Sequence, residues 1–261
     1  MSETTTELNT KLAIVREYSA RGLAMFYNMI LKDRGIELPP HLVPVVHALA
    51  DPRILNLILL IGPGSGKSLL LTEIFPSWSL GHDPSLTVMG VSAGENLIQG
   101  FLRSVMEIVE WSPVWRALFP RVRPDKGAGW SSERGMFVTG RDIGNSDANY
   151  SAFGLDSKVL TGKHAKLLIF DDLHDKENSA NEDQCEKVWA TYNNTLIGRG
   201  DPGGARYIIA GRRWSRTDIY QHLIDSGEFV VLVLPAEREK TNKLWLDVMI
   251  PEGLTCCFND S

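Results

Sequence analysis

A lysine, a serine and two aspartates stand where apolar runs end. Lys67-Ser68 follow LILLIGPGSG, and Asp171-Asp172 follow KLLIF. An ammonium and a hydroxyl directly after a glycine-rich turn suit a phosphorylated ligand. Gly62, Gly64 and Gly66, spaced by Pro63 and Ser65, let backbone N–H groups curl around an anion. A helix opening at Lys67 would aim its positive dipole end at the same point. In this P-loop reading Gly62 through Ser68 bind phosphates, Lys67 reaches the β/γ-phosphates and the Ser68 hydroxyl ligates Mg²⁺. The position six before the lysine, usually Gly or Ala, is Ile61.

Leu167 to Asp172 form a Walker B pattern, four apolar residues and then two acids. A carboxylate at the C-terminal end of a strand beside the P-loop strand can hold Mg²⁺, which assigns Asp171 to the metal. Asp172 then polarises the attacking water, and Glu177 is the alternative because Asp is shorter than the Glu common at this place. Taken singly, each segment also reads as plain structure, a Gly/Pro turn or a strand ending in a solvated acidic turn. Their pairing favours chemistry.

A third strand, ARYIIAG, ends in Gly211-Arg212-Arg213-Trp214. Arg199, Arg206, Arg212, Arg213 and Arg216 gather between residues 199 and 216 against the single acid Asp201. Such a cluster meets phosphates of DNA or of ATP in a neighbouring subunit, or else forms a solvated basic face with Trp214 beneath it.

The elements that must position these residues are legible as periodicity. Residues 1–10 read as a frayed tail, and 11–32 as one long helix or two short ones. A short helix is expected over 41–50, with His41 to His47 as the place to look for base recognition. Strands are expected at 55–61, 86–93, 166–172, 205–211 and 229–236, with a hairpin from 136–140 and 150–155. Helices fall between them, and Trp78, Trp111, Trp115 and Trp189 read as core. The run LTVMGVSA supplies an extra strand between the P-loop and the acids. Alternating strands and helices predict an α/β fold, a mostly parallel central sheet with helices on both faces.

Composition agrees with a globular chain. Of 261 residues 43% are hydrophobic and 23% charged, and the net charge of −5 argues against a wholly nucleic-acid-coating surface while leaving a local basic face open. Cys185, Cys256 and Cys257 give neither a disulfide framework nor zinc spacing and fit a reducing cytoplasm. The six histidines show no metal-ligand spacing. The N-terminus MSETTTELNT lacks a signal-peptide layout, and no apolar run is long enough to span a bilayer.

Blocks in fixed order then resemble a family, the large terminase subunits of tailed phages in their N-terminal ATPase part. They are GPGSGKS with FPSWSLGHDP, MGVSAGEN, LTGKHAKLLIFDD, KVWATYNNTL, DPGGARYIIAGRRW and TDIYQHL, together covering about residues 40–240. The resemblance implies an additional-strand (ASCE, RecA/helicase-like) P-loop NTPase that uses ATP and Mg²⁺ to drive double-stranded DNA into a procapsid. It implies partners in the portal protein and small terminase subunit. It also implies a homo-oligomeric ring, a pentamer when assembled and compatible with a monomer in isolation, working in the host cytoplasm without a membrane. Gly211, Arg212 and Arg213 map to the coupling segment, and Lys163 to the residue offered to the neighbour's ATP, with Arg141 and Arg199 as rivals. The implied division is an N-terminal helical segment at 1–40, the ATPase at 41–240, and at 241–261 the start of a linker toward a nuclease domain. Nuclease activity is not expected of this chain, which ends on CCFNDS with no closing packing element in view. The alternatives are a helicase-like or other DNA-remodelling ATPase, a nucleotide-binding module without turnover and, lowest, a small-molecule kinase.

Overall fold

After Asn56 the run LILLI is apolar at every position, and the fold buries both of its faces. The computed structural model describes residues 4–160, 162–234 and 246–259. In chain order the main elements are α1 Thr5–Val15, α2 Ala20–Leu31, α3 Val43–Ala50, β1 Asn56–Ile61, α4 Phe75–His82, β2 Val88–Ser92, α5 Glu95–Trp111 and α6 Pro113–Leu118. There follow β3 Trp130–Ser131, β4 Gly135–Met136, β5 Tyr150–Gly154, β6 Leu167–Asp171, α7 Glu182–Thr191, β7 Arg206–Gly211, α8 Ile219–Asp225, β8 Val230–Leu234 and β9 Asp247–Met249.

Among the described residues the strands form one sheet in the order β3-β4-β5-β2-β6-β7-β1-β8-β9. From β5 to β8 the neighbours run parallel, and the antiparallel pairs lie at the two edges. Side chains alternate across each strand. Leu57, Leu59 and Ile61 of β1 join a cluster built with α1 to α6, while Ile58 and Leu60 join a second cluster with α7 and α8. The sheet is therefore mostly parallel and carries helices on both faces.

Two expectations about the sheet need correction. β6 does not lie beside β1, because β7 pairs with both and separates them. The strand inserted between the lysine strand and the acid strand is thus ARYIIAG, and LTVMGVSA lies beyond β6 on its other side. The 136–140 and 150–155 pair exists only as Met136 against Tyr150, since β5 spends its length in parallel register with β2.

The ends of the chain also depart from expectation. The supposed tail is helical from Thr5, with the Thr4 hydroxyl accepting the Glu7 N–H at 3.2 Å. A hydroxyl residue three positions before a glutamate is a capping signal that was present in TTTE. Ser19 caps α2 in the same way and ends any single long helix. Near the other end, β9 pairs with β8, Cys256 is buried, and the Cys257 N–H donates to Asp51 Oδ2 at 2.7 Å, so this segment does pack. Pro235 and Ala236 of the expected last strand, and residues 241–245 of the expected linker, lie outside the described residues. Trp78 and Trp115 are core as expected, whereas Trp111 is 65% exposed and Trp189 is half-buried against His222.

The helix after the glycine-rich loop is wound as a π-helix over Leu69–Ile74 before it becomes α4. The turn places Glu73 inside, where burial pushes its carboxyl up to about 7 and Oε2 has no hydrogen-bond partner among the described residues. Between pH 4.5 and about 7 the folded protein holds a proton that the unfolded chain has released, so stability falls as pH rises through that window. Glu73→Gln is expected to exceed the wild type in stability by about 2 kcal/mol at pH 8. The gain should vanish near pH 4. Urea denaturation at both pH values checks it, and a pH-independent difference would contradict the account.

Candidate functional site

The parallel register brings the chemistry to one edge. Ala210 of β7 lies level with Leu59 on one side and Asp171 on the other, so the loop after Ile61 and the acids after Phe170 leave the sheet together. In the loop Gly64 and Gly66 have φ of +73° and +83°, a region that L side chains rarely enter. Their turn delivers Lys67 and Ser68 as the first residues of the helix. His41 holds the loop from outside, with its Nε2 2.8 Å from the Ser65 carbonyl oxygen.

Lys67 Nζ lies 2.6 Å from Asp172 Oδ2 and 3.7 Å from Asp171 Oδ1. Lys67 and Asp171 are buried, and Asp172 is partly open. Asp172 is also the one non-glycine among the described residues with positive φ, +48°. That conformation is stabilised from both sides: its N–H donates to the Ala210 carbonyl and its carbonyl accepts from Ala93. The backbone turn aims the Asp172 carboxylate back toward the glycine-rich loop. Burial pushes Asp171 up to about 6, opposed mainly by the Lys67 charge and reinforced by Asp172. The Ser68 hydroxyl also meets the Asp171 carboxylate, and Asp171 Oδ1 has no hydrogen-bond partner among the described residues.

These are hard oxygen donors, one of them unsatisfied and buried, on a cluster with two acids and one cation. The set fits a small divalent cation that draws its remaining ligands from water and phosphate. No three His, Cys, Asp or Glu residues among those described gather into a metal site of their own. A cavity of about 380 Å³ opens beside the pair, lined by Ile61, Pro63, Lys67, Asp172, Arg212 and Trp214, with His174, Asp175 and Lys176 completing it. Ile61 thus ends its strand as a wall of the cavity.

The remaining candidates divide. Arg212 stacks on Trp214, its guanidinium 3.8 Å from the ring centre, and faces the cavity. Arg213 turns aside to pair with buried Asp218 at 3.1 Å. Gly211 is enclosed, and a Cβ there would collide with the Tyr220 ring and hydroxyl. Arg206 departs from the expected basic face. Its guanidinium turns inward and donates to the carbonyls of Ala48, Leu49 and Asp51, closing the C-terminal end of α3. Arg199 donates to the Thr195 carbonyl, and Arg216 is exposed. Arg141 lies over Phe137 and 3.6 Å from Asp125. Lys163 lies 3.7 Å from Asp147 in a hollow beside β5 and does not line the cavity at Lys67. Glu177 sits on an exposed turn and does not line the cavity.

Sequence reading passed over His174. It is buried, lines the cavity and uses both ring nitrogens. Metal-ligand spacing was the wrong test for it; its position three residues past Asp171 was the available signal.

No family model matches the chain. The resemblance read from the residues does find a curated counterpart. The chain is 23% identical over 265 residues to the terminase large subunit of Enterobacteria phage T3, an alignment that takes in 98% of this chain. The chain spans 42% of that relative's length. Among the described residues no helix is long and apolar enough to cross a membrane.

The tight approach at the end of β7 gives a direct check of the site's framework. Gly211→Ala is expected to lower stability by about 1–3 kcal/mol through overpacking against Tyr220. Gly198→Ala, whose Cβ would meet nothing, should be tolerated. Chemical denaturation compares the two, and equal effects would contradict the packing.

Proposed function

We propose that this chain is the ATPase motor part of a terminase large subunit, a P-loop NTPase of the additional-strand type that hydrolyses ATP to move double-stranded DNA into a procapsid. The observation that carries the reading is the convergence of Lys67, Ser68, Asp171 and Asp172 at one sheet edge, with β7 inserted between the strands that bear them. The homology to the phage T3 protein supports the same reading.

The geometry suggests how the residues divide the work. The Lys67 ammonium is shared between two carboxylates. A phosphate chain seated on the backbone N–H groups of 62–68 offers Lys67 a stronger anion, and the acids then need another cation. Ser68 and Asp171 would hold Mg²⁺, which when bound neutralises phosphate oxygens. Asp172, released from Lys67 and held by its own backbone turn, would orient water and accept its proton. Arg212 across the cavity would meet developing charge on the transferred phosphoryl group.

In the assembled motor we place ring neighbours, the portal protein and the small subunit around this chain. Lys163 is the candidate to enter the neighbour's site, supported by its place away from its own cavity; Arg141 and Arg199 are its rivals. Arg216 is the exposed candidate for DNA.

Phosphate release decides the assignment. Lys67→Ala should abolish MgATP turnover, and Asp172→Asn should retain ATP binding while turnover drops by about a hundredfold or more. Asn tolerates the positive φ of residue 172, so the second variant keeps the backbone. Wild-type turnover in both variants would overturn the reading.

A further inference from the structure

The residue that the proposed chemistry leaves unused is His174. Its ring is buried yet reaches the cavity wall, and its tautomer can be deduced. Asn178 Oδ1 accepts the Asp175 N–H at 2.8 Å, while Asn178 Nδ2 donates to the Leu173 carbonyl at 2.9 Å. A flipped amide would break both bonds, so the atom facing His174 Nδ1 at 3.2 Å is an acceptor. Nδ1 therefore carries the proton. Nε2 is bare and accepts the Ile219 N–H at 3.1 Å.

Ile219 is the first residue of α8, and Asp218 is its cap. One Asp218 oxygen accepts the backbone N–H groups of Trp214 at 2.8 Å and Ser215 at 3.2 Å, and the carboxylate also pairs with Arg213. A continuous chain of bonds thus leaves the acidic turn at Asp171-Asp172, passes through His174 and the start of α8, and ends on the loop that holds Arg212 and Trp214 over the cavity. Burial holds the His174 ring below the usual imidazole range, and a neutral ring is what an acceptor at Nε2 requires.

Resting on the ATPase reading, we propose that His174 is a positioning residue that ties the Asp171-Asp172 turn to the Arg212-Trp214 loop, so that the two move as one when nucleotide binds. It touches no reacting atom. It acts by holding the arginine loop at a fixed height over the site.

The test uses the full chain with His174→Phe, which fills the space without an acceptor, and His174→Gln, whose amide can offer an oxygen to Ile219. Asn178→Ala serves as a second route, because it leaves the ring in place and frees its tautomer. Hydrogen exchange should become about tenfold faster over 213–219 in His174→Phe while residues 62–68 stay as in wild type. For MgATP, kcat should fall about tenfold with KM nearly unchanged, Gln should recover much of the loss, and Asn178→Ala should lie between. Unchanged exchange over 213–219, or equal losses in Phe and Gln, would overturn the tie. Absence of wild-type turnover would sink the ATPase reading instead, and the exchange result would then judge the tie alone.

Discussion

One buried cation shared between two acids governs the site. Lys67 sits 2.6 Å from Asp172 and 3.7 Å from Asp171; Lys67 and Asp171 are enclosed, and only Asp172 is partly open to water. Charges removed from water must be matched nearby or they change protonation. Asp171, the deeper acid, shows the strain as a carboxyl pushed up to about 6. The cluster lacks one positive charge and is stabilised by any ligand that supplies it. In the proposed ATPase reading, a metal with its phosphate would do so while giving Lys67 a better anion. Ligand and metal would then favour each other through the same two carboxylates.

The rest of the fold keeps those groups together. In parallel strands buried on both faces a one-residue shift would exchange every side chain between two packed helix layers, so close packing against those layers fixes the register. Ala210, level with Leu59 and Asp171, sets the height of both loops. Gly211 lets the Tyr220 ring close against the strand end, and Arg206 locks β7 to the end of α3 just before β1. The inserted strand thus separates the lysine strand from the acid strand and is itself anchored at both ends.

How much of this was legible depended on whether local pattern or tertiary context decided the matter. Lys67, Ser68, Asp171 and Asp172 announce themselves because turn glycines and strand ends have local signatures, and the structure brings all four together. The neighbour of β1 could not be read, because several runs are equally apolar and only packing chooses among them. Arg206 looked like its basic neighbours and is distinguished by facing inward from a strand, toward carbonyls that a distant helix end leaves free. Trp111 failed as core because it ends α5 on the open side. His174 was hidden for another reason: its role lies in bonds to Asn178 and Ile219, which no single spacing displays.

The central claim is that Lys67 exchanges a carboxylate for a phosphate. A crystal structure of the chain with Mg²⁺ and a non-hydrolysable ATP analogue measures this directly. The account predicts phosphates within the turn of 62–68, Lys67 Nζ withdrawn from its 2.6 Å contact with Asp172 and bonded to a phosphate oxygen, and the metal between Ser68 and Asp171. Nucleotide bound elsewhere, or bound with the Lys67–Asp172 pair intact, would contradict it.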